Sequence, residues 1–210
     1  MAIRVLLADD HQIVREGVRV LLERQGIEVV GEAEDGHAAI RLASQLKPDI
    51  AVLDIAMPSL NGIDAAREIA RVSPDTKTIL LTMYSEDHRL VEALRAGVSG
   101  YLLKTRAAED LEHAIREVRK GGVYLSRGLS SDIVDAYLNR TPLAHAELSP
   151  RERQVLQLVA EGKTTKEVAG LLGVSVKTAE SHRTRVMSKL EIHETAGLVR
   201  YAIRNGIIQA

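Results

Sequence analysis

The sequence predicts two domains of different class: an α/β domain with a doubly wound parallel sheet of five strands, then an all-α domain of four helices. Three observations carry this. Five short apolar runs recur between residues 3 and 103, separated by helix-length segments with helical apolar spacing. Alternation of that kind builds a parallel sheet covered by helices on both faces. From Leu148 onward, helical segments follow one another with no strand-like run, and the stretch before them is broken up by Ser126, Gly128, Asn139 and Pro142.

The elements follow in order. The runs Ile3–Ala8, Ile27–Ala33, Ile50–Leu53, Thr78–Leu81 and Gly100–Leu103 are strand-length and mostly uninterrupted, as strands buried on both faces should be. Ile13, Val14, Gly17, Val18, Leu21 and Leu22 give the first helix its apolar stripe, and Leu111, Ala114, Ile115 and Val118 give the fifth helix its own. Lys120-Gly121-Gly122 ends that helix, because glycine readily takes the left-handed conformation after a last turn. Residues 1–122 therefore form the first domain and 123–146 a connector, with a short helix expected over 130–138. Residues 147–210 form the second domain. Ser149 is placed to cap its first helix, with Pro150 at the first helical position and Glu152 three residues after the cap.

Composition bounds the chemistry. With no cysteine there is no disulfide, thiolate metal site or cysteine nucleophile. No apolar run approaches the roughly 18 residues of a membrane helix, so a soluble, cytoplasmic protein is expected. The formal charge of the 210 residues is -1, but it is unevenly spread. Residues 1–125 hold 16 basic and 20 acidic residues, and residues 147–210 hold 10 basic and 7 acidic. An acidic domain precedes a basic one.

In a parallel sheet all strands present their C-terminal ends at one edge, where ligands bind. Asp9 and Asp10 follow the first strand, Asp54 the third, Thr82 the fourth and Lys104 the fifth. Each alone has a plainer reading: Asp9 or Asp10 as a helix cap, Asp54 as a strand-end turn residue, Thr82 as a strand residue or cap, Lys104 as a solvated lysine. Together they describe a site. Three carboxylates at one edge repel one another unless a cation sits among them, and such oxygen donors suit Mg²⁺. A carboxylate can also serve as a nucleophile and form an acyl phosphate.

The motifs Leu7-Ala8-Asp9-Asp10-His11, Asp54-Ile55-Ala56-Met57-Pro58 with Asn61-Gly62, Leu81-Thr82 and Gly100-Tyr101-Leu102-Leu103-Lys104 resemble the receiver domain of bacterial two-component response regulators. The resemblance covers residues 3–121 and implies a flavodoxin-like fold. It also implies that Asp54 accepts a phosphoryl group from a sensor histidine kinase. Mg²⁺ would be held by Asp9, Asp10, Asp54 and the carbonyl of Ala56. Thr82 and Lys104 would meet phosphoryl oxygens, and Tyr101 would be the rotating aromatic that turns inward when Thr82 moves. Thr105 stands where many receivers have proline.

The segment Thr165–Thr178 reads as helix, glycine turn, helix, with Leu172-Gly173 closing the first helix and Ser175 capping the second. On the second helix Val176, Ala179, Val186, Met187 and Leu190 form an apolar stripe expected to face the core, with Lys177, Ser181, Thr184, Arg185 and Ser188 opposite. Small polar and basic groups on one helix face suit the major groove of DNA. Arg183 lies on the apolar side of the wheel, where its stem can cover the core and its charge reach a phosphate. Glu180, on the flank, either accepts from cytosine N4 or positions Lys177 or Thr184.

Leu148 to Leu156, Gly162 to Ala169, Ser175 to Thr178, His182 and Lys189-Leu190 resemble the LuxR-type four-helix DNA-binding domain. Together the two halves resemble the NarL/FixJ class of response regulators. The resemblance implies a phosphorylation-dependent transcription regulator that dimerises on two-fold symmetric double-stranded DNA. DNA contacts would come from Lys177, Thr178, Glu180, Ser181, His182, Arg183, Thr184, Arg185 and Lys189. The dimer helix would offer Ala196, Leu198, Val199 and Ile203, which can equally pack the core, so that some of them must do both. Such a protein is not an enzyme beyond its own phosphoryl uptake and loss. The rival readings are a Mg-dependent aspartyl-phosphate phosphohydrolase, against which the helix-turn-helix argues, and a phosphorylation-independent DNA binder, against which the complete set Asp9, Asp10, Asp54, Thr82 and Lys104 argues.

Overall fold

A computed structural model describes residues 2–83, 87–126 and 148–208. The chain divides into two compact units, one carrying a sheet and its helices and the other the C-terminal helices. The expected short helix at 130–138, with most of the connector, lies outside the described residues.

The first unit alternates β1 (Arg4–Ala8), α1 (Gln12–Arg24), β2 (Glu28–Ala33), α2 (Gly36–Leu46), β3 (Ile50–Asp54), α3 (Gly62–Val72), β4 (Lys77–Thr82), α4 (Asp87–Arg95), β5 (Gly100–Leu103) and α5 (Ala107–Arg119), and ends in β6 (Tyr124–Leu125). All pairings are parallel and the strand order is β2-β1-β3-β4-β5-β6. The sheet therefore has six strands, not the expected five. Tyr124 pairs with Gly100 and Leu125 with Tyr101. Gly121, at φ +92°, lets the chain leave α5 and return to the sheet edge. A two-residue strand leaves no periodic signal, so the sequence reading placed it in the connector.

Alternation along the strands divides the core. Val5, Leu7, Ile50, Val52, Ile79, Leu81 and Leu102 form one buried cluster with Leu22 of α1 and with Leu111, Ala114, Ile115 and Val118 of α5. Leu6, Ala51, Leu53 and Leu80 alternate with these and are also fully buried, so both faces of the sheet are covered. The order departs in opposite directions from β1, to β2 on one side and β3 on the other. That reversal opens a crevice at the C-terminal ends of β1 and β3.

The second unit consists of α6 (Pro150–Ala160), α7 (Thr165–Leu171), α8 (Val176–Leu190) and α9 (Thr195–Arg204). Three of these helices have side-chain N-caps. Ser149 and Thr164 close full capping boxes with Glu152 and Glu167, and the Ser175 hydroxyl accepts from Thr178 N–H. Gly162 and Gly173 take positive φ between the first three helices. The core joins Val155, Leu156, Leu158 and Val159 of α6 to Val168, Ala169, Ala179, Val186, Leu198 and Ala202. Among the described residues, no helix is long and apolar enough to cross a membrane.

Two side chains depart from their expected positions. Val176, read as core, is 51% exposed. It is the first residue of α8, and the core cluster does not reach it. Leu198, read as a dimer residue, is 0% exposed and belongs to the core, so it is not available to a second copy. Ala196 and Ile203 on the same helix are exposed, and Val199 is half-buried against the core.

Candidate functional site

The edge expected to hold the site does gather its residues. Asp9 follows β1 directly, Asp54 ends β3, Thr82 ends β4 and Lys104 follows β5. Asp9, Asp54 and Thr82 are buried. They leave neighbouring strands at one edge because the strands are in register, with Ala8 beside Leu53 and Asp54 beside Leu81. Lys104 Nζ lies 2.7 Å from Asp9 Oδ2 and 3.0 Å from Asp54 Oδ1. One ammonium thus bridges two carboxylates from different strands.

The electrostatics are strained. Burial pushes the Asp54 carboxyl above its usual range; Lys104 opposes this, and Asp9 and Asp10 add to it. For Lys104, burial disfavours the ammonium, but Asp54 and Asp9 outweigh it and hold the group above its ordinary value. Asp54 Oδ2 is buried and has no hydrogen-bond partner among the described residues. A buried anionic oxygen with no donor is unfavourable by itself and suits a cation.

Asp10 is exposed, and His11 Nδ1 lies 2.9 Å from Asp10 Oδ1. The His11 N–H donates to Asp9 Oδ1 at 2.9 Å, and Arg15 Nη1 donates to the Asp9 carbonyl at 2.6 Å. Asp9, Asp10 and His11 bring donor atoms close enough together to hold a metal ion. Magnesium prefers oxygen ligands, so His11 serves better to orient the two carboxylates than as a ligand. His11 belongs to the motif that follows the first strand, whereas Arg15 carries no sequence signal beyond proximity to the acids. Ala56 lies two residues beyond Asp54 in the same loop and is half-buried.

That loop is held tightly at its far end. Asn61 caps α3 by accepting from Asp64 N–H at 2.9 Å, and Gly62 N–H donates to the Ile55 carbonyl at 2.9 Å. A Cβ at Gly62 would fall 2.1 Å from the carbonyl oxygen of Asp54 itself, so only glycine fits. After β5, Lys104–Arg106 forms a 3₁₀ turn that leads straight into α5. Tyr101 is fully buried, two residues before the Leu103 that pairs with Thr82.

The second unit presents a different surface. Lys177, Glu180, Ser181, Thr184 and Arg185 of α8 are exposed and, with Val176 and with Thr165 of α7, line one concave face. Val176, displaced from the core, therefore belongs to this face. Thr165 was not picked out from the sequence, since it comes from the preceding helix. Its Oγ1 donates to Glu180 Oε2 at 3.1 Å.

Of the other expected contact residues, Thr178, Arg183 and Lys189 have partners of their own. Thr178 is drawn into the cap of α8, its Oγ1 lying 2.8 Å from Ser175 Oγ. Arg183 Nη2 donates to Thr195 Oγ1 of α9 at 2.8 Å, and His182 is half-buried. Lys189 Nζ donates to Glu152 Oε2 at 2.7 Å. The open cations on the concave face are Lys177 and Arg185, neither of which has an ion-pair partner among the described residues.

Comparison with known proteins agrees with this division. A family model described as "Response regulator receiver domain" matches residues 5–116. One described as "Bacterial regulatory proteins, luxR family" matches residues 146–202. The chain is 39% identical to the transcriptional regulatory protein LiaR of Bacillus subtilis over 209 residues, which is 98% of this chain and 99% of LiaR. It is 37% identical to the response regulator UvrY of Escherichia coli K12 over 211 residues, covering 99% of this chain and 97% of UvrY. The structure of RcsB from Salmonella enterica serovar Typhimurium, bound to promoter rprA in the presence of the phosphomimetic BeF3-, is similar with a TM-score of 0.68. The identity is 32%, covering 95% of this chain and 98% of RcsB.

Proposed function

The chain belongs to the response regulators that join a receiver domain to a luxR-family DNA-binding domain, and we propose that within that family it is a phosphorylation-switched transcription regulator whose acceptor is Asp54. The observation that carries this is the pairing at the sheet edge. Lys104 engages Asp54 Oδ1 and Asp9 Oδ2, and Asp54 Oδ2 is left with no donor.

Asp54 is the nucleophile. An oxygen of its carboxylate forms a bond to phosphorus as the bond from phosphorus to the nitrogen of a kinase phosphohistidine breaks. Lys104 offsets charge while the two anions approach. Asp9, Asp10, Asp54 and the Ala56 carbonyl are the residues that would hold Mg²⁺, which supplies charge neutralisation for an incoming dianionic group. Once Asp54 carries the phosphoryl group, the Lys104 ammonium and the Thr82 hydroxyl have new acceptors. A shift of Thr82 would pass to β5 through its pairing with Leu103; Tyr101, expected to turn inward only then, is already fully buried here. Loss of the group is hydrolysis: a water oxygen bonds to phosphorus as the bond from phosphorus to Asp54 breaks, which releases inorganic phosphate and restores the carboxylate.

The concave face of α8 binds duplex DNA. The RcsB structure is bound to promoter rprA in the presence of phosphomimetic BeF3-, and the cationic Lys177 and Arg185 here suit the same role. Two copies would meet a two-fold symmetric site, with Ala196 and Ile203 of α9 open to self-association.

The full chain incubated with acetyl phosphate and Mg²⁺ should gain one phosphoryl group on Asp54 and bind promoter DNA more tightly. Asp54→Ala should do neither. An adduct that persists in Asp54→Ala would place the acceptor elsewhere, and repeated turnover of a phosphoester would make the protein an enzyme.

A further inference from the structure

Glu180 is out of place on the surface just described. Among the residues lining the concave face of α8 it is the one acid, beside Lys177 and Arg185. A carboxylate facing DNA is repelled by the phosphates and lowers non-specific affinity. Nor does it serve to neutralise its neighbours, since it forms no ion pair with Lys177 or Arg185 among the described residues. Its Oε2 instead accepts from Thr165 Oγ1 at 3.1 Å. Thr165 opens α7, the helix before the turn, so a second element sets the direction of this carboxylate. Oε1 has no partner among the described residues.

An ionised carboxylate can only accept hydrogen bonds. On the floor of the major groove the donors are the N4 amino group of cytosine and the N6 amino group of adenine, whereas guanine and thymine present acceptors. Adenine also carries the N7 acceptor beside its amino group, and N7 repels a second carboxylate oxygen. Cytosine has no such neighbour. The base that this group favours is cytosine.

We propose that Glu180, held in direction by Thr165, is a specificity-determining residue that reads the N4 amino group of a cytosine at one fixed position in each half-site. Thr165 is its positioning residue. The inference rests on the reading of α8 as the DNA-contacting helix and deepens it by naming a base.

Site selection from a randomised duplex library tests it, using the full chain treated with acetyl phosphate and Mg²⁺. The wild-type protein should enrich sites with one cytosine-dominated position per half-site. In Glu180→Gln that position should lose cytosine by about tenfold in enrichment and turn towards adenine, which glutamine pairs with through N6 and N7. Thr165→Val should flatten the same position while leaving the other enriched positions alone, and Thr165→Ser should restore it. A purely structural Thr165 would instead weaken every position together. Binding to non-specific duplex should be unchanged or stronger in Glu180→Gln. If the cytosine persists in Glu180→Gln, or the wild type enriches no cytosine at a fixed position, this inference fails while DNA binding stands. If the wild type binds no duplex at all, both readings fail.

Discussion

Lys189 Nζ, in the last turn of α8, lies 2.7 Å from Glu152 Oε2, in the first turn of α6. The same Glu152 oxygen accepts from the Ser149 N–H at 2.8 Å. One carboxylate therefore closes the capping box of α6 and fastens the far end of α8.

This pairing makes the C-terminal unit sensitive to acid. Burial pushes Glu152 up, but the Lys189 and Ser149 hydrogen bonds outweigh it and hold the carboxyl below its ordinary 4.5. The unfolded chain thus takes up the proton first. The stabilisation is complete above 4.5 and is lost as pH falls through the lower, folded value. Glu152→Gln should lower stability by about 1–2 kcal/mol at neutral pH and reduce the loss on acidification. Circular dichroism melts of both proteins across this range check it, and parallel acid curves would show that the pair contributes nothing.

Lys104 pairs with Asp9 and Asp54, two of the carboxylates that would also hold a divalent ion. Lys104→Met should leave Asp9 and Asp54 without their shared ammonium, so Mg²⁺ should bind about tenfold more tightly, worth about 1.4 kcal/mol. Melting temperature followed against Mg²⁺ concentration reads this directly. Equal shifts in the two proteins would mean that lysine and metal do not compete.

The exposure of Val176 predicts a contrast along α8. Val176→Ala should change stability by no more than about 0.5 kcal/mol, whereas Val186→Ala, in the core, should cost about 2 kcal/mol. Urea denaturation separates these, and a large loss at Val176 would return it to the core.

A similar contrast holds on α9. Leu198→Ala should destabilise the C-terminal unit by about 3 kcal/mol. Ile203, at 38% exposure, should tolerate Ile203→Glu with its fold intact and show weaker self-association after phosphorylation. Sedimentation of phosphorylated protein would detect it. Unchanged assembly would remove Ile203 from the dimer surface.

The sheet was readable because strands buried on both faces are uninterrupted apolar runs, and their last residues could be named at once. Asp54, Thr82 and Lys104 fell on one edge by that rule alone. The bridging of Asp9 and Asp54 by one ammonium is a distance, and spacing along a chain carries no distance between strands. β6 escaped because two residues make no period. Val176 and Leu198 show a different limit. A helical wheel gives the direction of a side chain but not whether anything stands in front of it, so both directions were read well enough and both coverings were misjudged. Thr165 reaches Glu180 from a separate helix, and no single-helix pattern contains that contact.

Gly62 offers a last consequence. Because a methyl group there would overlap the Asp54 carbonyl oxygen, the backbone of Asp54, the proposed acceptor, and the start of α3 have no slack between them. A genetic screen for variants blind to the kinase should therefore return substitutions at position 62 beside those at 54. They would be silent by displacement, with every reactive atom still present.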